Sequence, residues 1–293
     1  MRKTVLITGA SAGIGRAAAI GFHAAGWNVV ATARSVDKAR AALPAADERL
    51  LILPLDVGVA AEVVAAVDQA RQRFARIDVV VNNAGFGPMG PLETMPIDEI
   101  ARVLDTNSIG PIRLVQAVAP AMRAAGGGRI INVGSMGGEF TTPFGGAYHA
   151  SKYAMEALTD ALRVELAPFG IEMVLIQPGA VATELATSAA ASLAARAAGP
   201  YANRLRHFAT QTERQLARGT GVLQPEAVAR VILRAAEAPR PRTRYKVGMM
   251  AAVMPRLRRV LPDRWWDALL RQMMPENPPP PRPHRAVITA ARD

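Results

Sequence analysis

Short runs of branched apolar residues alternate along this chain with alanine-rich stretches of helical character, and few folds accept that rhythm. Val5–Thr8, Val29–Thr32, Leu50–Leu53, Val79–Val81, Arg129–Val133 and Glu172–Ile176 read as strands, with a last one near Tyr245–Val247. Their near-continuous Val, Ile and Leu content is that of parallel strands buried on both faces. Helical segments fall between them, near Ile14–Ala25, Val36–Ala42, Ala60–Phe74, Ile97–Ala125 and Tyr148–Ala167. Repeated β-α-β units predict an α/β fold: a doubly wound parallel sheet covered by helices on both faces, one domain over residues 1–250.

Two stretches break the rhythm. Residues 181–221 are too long for an ordinary connection. Their helical patches, Ala189–Ala198 and Leu205–Ala217, predict a helical lid over a pocket. Residues 251–274 read as an amphipathic C-terminal extension, and 275–293 as a Pro-rich tail that cannot pack and is expected to be disordered.

The net charge of +11 could point to nucleic acid or an anionic surface. Its distribution decides otherwise for the body. From Arg240 onward there are 12 Arg/Lys against 4 Asp/Glu, so most of the excess belongs to the end of the chain. No RNA-binding aromatic motif or zinc-finger spacing accompanies it, and no nucleic-acid partner is expected. With no cysteine and four scattered histidines, thiolate chemistry is excluded and no metal site is expected. Met1-Arg2-Lys3 before an apolar run imitates a leader, but glycines at fixed offsets interrupt the run. A cytoplasmic protein is the expectation.

Those glycines matter more. The first strand runs into Thr8-Gly9-Ala10-Ser11-Ala12-Gly13-Ile14-Gly15, and a helix follows. A tight turn, close backbone approach and a helix N-terminus with unpaired N–H groups together suit a pyrophosphate. The spacing is GxxxGxG, distinct from the GxGxxG fingerprint. At the end of the second strand, Val30-Ala31-Thr32-Ala33-Arg34-Ser35 holds no acid for a ribose 2′-hydroxyl. Arg34 is placed to pair with a 2′-phosphate, so NADP is predicted over NAD.

Tyr148-His149-Ala150-Ser151-Lys152 opens a helix, and positions i and i+4 share a helix face. A phenol has a pKa of about 10, so acid–base work near neutrality needs roughly 3–4 kcal/mol of electrostatic help. Lys152 beside it would supply part. Ser135 follows the strand Arg129–Val133, thirteen residues before the tyrosine, at the strand end where doubly wound domains bind ligands. Asn82-Asn83-Ala84-Gly85 follows another strand at that edge, and Asn107 interrupts a helical run.

Together these motifs resemble the short-chain dehydrogenase/reductase family over residues 3–248: the turn at 8–15, Asp56, Asn82–Gly85, Asn107, Ser135, Tyr148 with Lys152, and Pro178-Gly179. The resemblance implies a Rossmann-like oxidoreductase that interconverts a ketone or aldehyde and an alcohol with a nicotinamide cofactor. Tyr148 would be the general acid/base and Ser135 would orient the substrate oxygen. Lys152 would lower the Tyr148 pKa and hold the nicotinamide ribose, and Asn107 would bind a relay water. Cofactor contacts fall to Gly9, Ser11, Gly13, Ile14, Gly15, Arg34, Asp56, Asn82, Ala84, Gly85, Tyr148, Lys152, Pro178, Gly179, Val181 and Thr183. Two positions depart from the family's pattern: Ala12 stands where NADP-using members often carry a base, and Gly134 where many carry Ser or Thr.

The substrate end is less determined. Met95, Met136, Phe140 and Phe144 beside an acid-poor lid suggest an apolar pocket. The segment from Gln224 to Gly248 resembles the 17β-hydroxysteroid and retinol dehydrogenase subgroup, which implies lipophilic alcohols or ketones. A 3-oxoacyl (acyl-carrier) reductase, a catalytically idle NADP-binding regulator and an epimerase or dehydratase are the rival readings. In the extension, Trp265, Trp266, Leu269 and Leu270 recur at helical spacing among arginines. Packing on the protein's own lid, a homo-oligomer contact and peripheral contact with an anionic membrane compete for that face.

Overall fold

The computed structural model describes residues 2–45, 47–272 and 274. Seven strands form one sheet: β1 (Thr4–Thr8), β2 (Asn28–Ala33), β3 (Leu50–Pro54), β4 (Val79–Asn82), β5 (Gly128–Val133), β6 (Ile171–Pro178) and β7 (Arg244–Val247). Their order is β3-β2-β1-β4-β5-β6-β7 and every pairing is parallel. The fold is therefore the expected Rossmann-like α/β sheet. The chain lays down β1, β2 and β3 outward in one direction and then returns to place β4 on the other side of β1. That reversal opens a crevice beyond the carboxyl ends of β1 and β4.

The two-residue period of a strand divides the core. Val5, Ile7, Val29, Ala31, Val79, Val81, Ile131 and Ile176 join a cluster on one face with α1 (Gly13–Ala24) and α9 (Pro225–Glu237). Leu6, Val30, Val80, Ile130 and Met173 face the opposite way, toward α3 (Ala60–Phe74), α5 (Gly110–Ala124) and the end of α6 (Gly146–Leu166). Both faces are dry, which is why the strands read as apolar runs without alternation. The short α2 (Val36–Ala42) follows β2, capped by the Ser35 hydroxyl, which accepts from the Lys38 N–H at 3.2 Å.

The helical run expected over Ile97–Ala125 is not continuous. It is α4 (Ile97–Leu104), one wider π turn over Asp105–Ile109, and then α5. The cause lies in Pro111. An α-helix would pair the carbonyl of Asn107 with the N–H of residue 111, and proline has none.

Residues between β6 and α9 make an excursion whose two stems touch. Val181 and Leu223 form a parallel bridge, and the Ala182 N–H donates to the Leu223 carbonyl at 2.9 Å. Within it lie α7 (Glu184–Ala195) and α8 (Ala202–Arg218), so the first lid helix begins and ends earlier than the alanine pattern suggested. The lid is fastened to the body near its middle. The Ser192 hydroxyl donates to the Met89 carbonyl at 2.6 Å, and Arg196 pairs with Glu99 at 2.5 Å.

After β7 come α10 (Met249–Val260) and α11 (Asp263–Gln272). They pack on their own chain, but on the turn after β5 where the lid was expected. Trp266 is buried edge-on against Phe140, ring centroids 5.7 Å apart, and Glu139 pairs with Lys246 at 2.7 Å and Arg259 at 3.7 Å. The stretch 275–293, expected to be disordered, lies outside the described residues. Among the described residues no helix is long and apolar enough to cross a membrane.

Candidate active site

The turn between β1 and α1 is built for close approach. Gly9 and Gly13 hold φ of +68° and +52°, a region that penalises any side chain. A Cβ on Gly15 would stand 2.3 Å from the Gly9 carbonyl oxygen, so only glycine lets the helix start under the turn. No side chain caps α1, whose N-cap is Ala12. Its first N–H groups are open to an anion.

The turn is clasped by a residue that motif reading passed over. The Asn83 Nδ2 donates to the carbonyls of Thr8 at 2.9 Å and Gly9 at 3.2 Å. In return the Thr8 hydroxyl accepts from the N–H groups of Asn83 at 2.9 Å and Ala84 at 3.0 Å. This double clasp spans β1 and β4 at the switch point. The doubled asparagine was visible in the sequence, but not which of the pair faces the turn.

Asn82, predicted as cofactor wall, points elsewhere. Its Nδ2 donates to Asn132 Oδ1 at 2.8 Å, and Asn132 in turn donates to the Thr159 hydroxyl at 2.8 Å. All three are buried, forming a polar seam that ties β4 and β5 to α6. Asn82 and Gly15 lie behind the crevice, whereas Gly9, Ser11, Gly13, Ile14, Ala84 and Gly85 line it. So do Arg34, Asp56, Pro178, Gly179, Val181 and Thr183.

Arg34 is exposed at one end of the crevice with no protein partner among the described residues. The nearby cations are engaged: Lys38 pairs with Glu184 at 2.6 Å, and the Arg16 Nε donates to the Ala42 carbonyl at 2.7 Å. Asp56 spends one oxygen on the Gly58 N–H at 2.8 Å.

At the other end, Ser135, Tyr148 and Lys152 converge. Ser135 caps a single 3-10 turn after β5, and its Oγ accepts from the Gly137 N–H at 3.0 Å. The same hydroxyl favours the ionised form of the Tyr148 phenol. Gly87 makes room for the tyrosine, since a Cβ there would stand 2.6 Å from its ring. Lys152 is buried one helical turn on, with its Nζ donating to the Val133 carbonyl at 2.9 Å and lying 5.7 Å from the Tyr148 ring centroid.

Burial opposes ionisation of both groups. It pushes the Tyr148 phenol above its ordinary value, while the Ser135 hydroxyl pulls it back down. It draws the Lys152 ammonium from 10.5 down to about 8.

His149, beside the tyrosine, straps the loop that carries Ser135. Its Nε2 accepts from the Thr142 N–H at 3.3 Å, so the ring proton sits on Nδ1 and is donated to the Gly137 carbonyl at 2.9 Å. The imidazole is buried and its pKa is held below the usual value by that burial. Asn107 sits in the π turn. Its Nδ2 donates to the Phe86 carbonyl at 2.8 Å and to Ser151 Oγ at 2.9 Å, and its Oδ1 accepts from the Phe86 N–H at 3.0 Å. Both side-chain N–H groups are spent on protein.

The turn, Arg34, Asp56, Ser135, Tyr148, His149 and Lys152 border one cavity of about 580 Å³, and Asn107 lies behind its wall. Phe86, Met89, Met136, Phe140, Leu185 and Leu216 give its far end an apolar lining. Of the four pocket residues expected there, Met136 and Phe140 reach it. Met95 is buried in a small cluster with Val103 and Ala147, and Phe144 packs against Tyr201 and Phe208 beneath the lid.

Comparison with known proteins places this geometry. Residues 3–194 match the short chain dehydrogenase family. Human 17-beta-hydroxysteroid dehydrogenase type 1 is 36% identical over 256 residues, covering 83% of this chain and 77% of the human one. A solved short-chain dehydrogenase from Streptomyces avermitilis superposes with a TM-score of 0.72 at 29% identity, covering 92% of this chain and 97% of its own. The 3-ketoacyl-(acyl-carrier-protein) reductase from Brucella melitensis, solved with NADH, gives a TM-score of 0.73 at 25% identity over 86% of this chain and 98% of its own.

Proposed function

The chain belongs to the short-chain dehydrogenase/reductase family of oxidoreductases, and on that premise we propose that it interconverts a lipophilic ketone or aldehyde and the matching alcohol with NADP(H). The observation that carries this reading is the meeting of Ser135, Tyr148 and Lys152 with the glycine cradle in one cavity. The cradle fits a dinucleotide on its own terms: Gly9 and Gly13 line the crevice at positive φ, and Gly15 lets the uncapped helix N-terminus start directly beneath the turn. When bound, the nicotinamide supplies the hydride or accepts it.

The chain's own residues do the rest. The Gly137 N–H occupies one lone pair of Ser135 Oγ, so the hydroxyl proton is free to turn toward Tyr148 or toward a substrate oxygen between them. In reduction Tyr148 gives its phenolic proton to that oxygen, and in oxidation it takes the proton back. Lys152 holds a positive charge behind the ring and favours the phenolate that results. A relay through Asn107 runs from its backbone carbonyl, because Pro111 denies that carbonyl its α-helical donor while the side chain is already engaged. Asp56 keeps one carboxylate oxygen for the adenine end. The lid helices α7 and α8 close the apolar end and exclude water, and the catalytic domain runs over residues 1–250.

The test is cofactor oxidation measured with steroids, retinoids, 3-oxoacyl esters and small ketones. Turnover of a bulky apolar carbonyl with NADPH is expected, and no turnover of any carbonyl with either cofactor would overturn the reading. Cofactor choice rests on Arg34, an exposed cation at the crevice with no partner among the described residues. Arg34→Ala should raise the KM for NADPH about 10- to 100-fold, the loss of a charge-assisted bond worth about 1.5–3 kcal/mol. The KM for NADH should hardly move. Equal losses for both cofactors would remove Arg34 as the selector.

A further inference from the structure

The C-terminal extension has two apolar faces, and the core uses one of them. On the inner side Ala251 and Pro255 of α10 are buried, and Trp266 of α11 is sealed against Phe140. On the outer side Met249, Val253, Arg256 and Val260 follow one another at spacings of four, three and four, which places them on one stripe of α10. Met249 is 77% exposed and Val260 74%. In α11, Trp265 is 70% exposed beside the exposed Arg264. An apolar stripe left in water after a helix has docked is unusual for a monomer surface.

Charge indicates what covers it. Residues 249–272 carry five arginines against two aspartates, and no lysine or glutamate. Arg256, Arg259, Arg264 and Arg271 are exposed. A second copy seated on this face by two-fold symmetry would bring the same cations together, which opposes association. A phosphate-bearing lipid surface neutralises them and takes up the apolar stripe. Tryptophan, with an apolar body and a polar N–H, belongs at that boundary. We propose that the outer face of α10 and α11 docks on an anionic phospholipid bilayer. The extension starts beside Gly179 on the cavity wall, where a Cβ would lie 3.8 Å from the Ala251 nitrogen, so docking brings the cavity close to the lipid.

The molecule carries its own reporter. Trp27 and Trp266 are buried at 5% and 3% exposure, so a shift of tryptophan emission on membrane contact comes from Trp265. The full chain is mixed with vesicles of phosphatidylcholine alone, or with about one third phosphatidylglycerol, at about 20 mM and about 500 mM salt. Sedimentation with the anionic vesicles at low salt, with a blue shift, is expected, and little with phosphatidylcholine or at high salt. Trp265→Ala combined with Val260→Ser should cut the bound fraction about fivefold or more and abolish the shift. Both residues lie outside the cavity, so turnover of a water-soluble carbonyl should hold and report an intact fold. No binding to anionic vesicles at low salt overturns the proposal. So does binding that the double variant leaves unchanged, or a dimer in sedimentation velocity that the double variant dissolves without any vesicle binding.

Discussion

Tyr148→Phe is expected to lower kcat by about three orders of magnitude, the middle of the range for losing a positioned general acid. The variant is conservative in space. It keeps the ring for which Gly87 makes room and removes only the phenolic hydroxyl. Cofactor affinity, measured by quenching of protein fluorescence, should stay within about twofold, because the glycine cradle is untouched and the loss falls on the transition state. Turnover within about tenfold of the parent enzyme would sink the assignment of Tyr148.

The second large effect joins stability to activity. Lys152→Met should abolish turnover and at the same time raise the melting temperature. Burial holds the Lys152 ammonium at about 8 against 10.5 when free, so carrying that charge into the core costs about 3 kcal/mol at neutral pH. Methionine fills similar space without a charge, though it leaves the Val133 carbonyl without its donor, a loss of about 1 kcal/mol. The net gain of about 2 kcal/mol should lift the melting temperature by about 4 °C.

The pH dependence gives the sign. Below about 8 the lysine is protonated folded and unfolded, and its cost is constant. Between about 8 and 10.5 the unfolded chain keeps a proton that the folded chain has released, so the parent gains stability as pH rises. Lys152→Met should lack that rise. A variant that melts lower than the parent at pH 7 would show that the lysine is stabilising where it sits.

Much of this architecture was legible because buried parallel strands have a composition of their own. Runs such as Val79–Val81 need no partner to be recognised, and glycines at 9, 13 and 15 mark a turn whatever surrounds it. What escaped was any property set by one residue's facing. Asn82 and Asn83 are neighbours, yet one closes a buried seam with Asn132 and the other clasps the turn, because β4 ends between them. Trp265 and Trp266 are about 100° apart on a helix, so one faces water while the other is buried. The π turn at Asp105–Ile109 is a register change inside a run whose apolar pattern remains helical on both sides. Its marks were Asn107, which interrupts the run, and Pro111 after it. The wrong half of the pocket prediction, Met95 and Phe144, has the same origin: an apolar residue near a site in sequence is as well satisfied by a packed cluster beneath it.

The join between β1 and β4 also bears on how the protein folds. β1, β2 and β3 pair with near neighbours in sequence, whereas Val5 meets Val79 only after a long loop has closed. The glycine turn lies on one side of that join and its Asn83 clasp on the other. An intermediate holding only the first three strands would therefore own half a binding crevice and have no affinity to show for it. Any ligand of the crevice recognises the assembled sheet alone, and in refolding its capture should lag behind the appearance of helix.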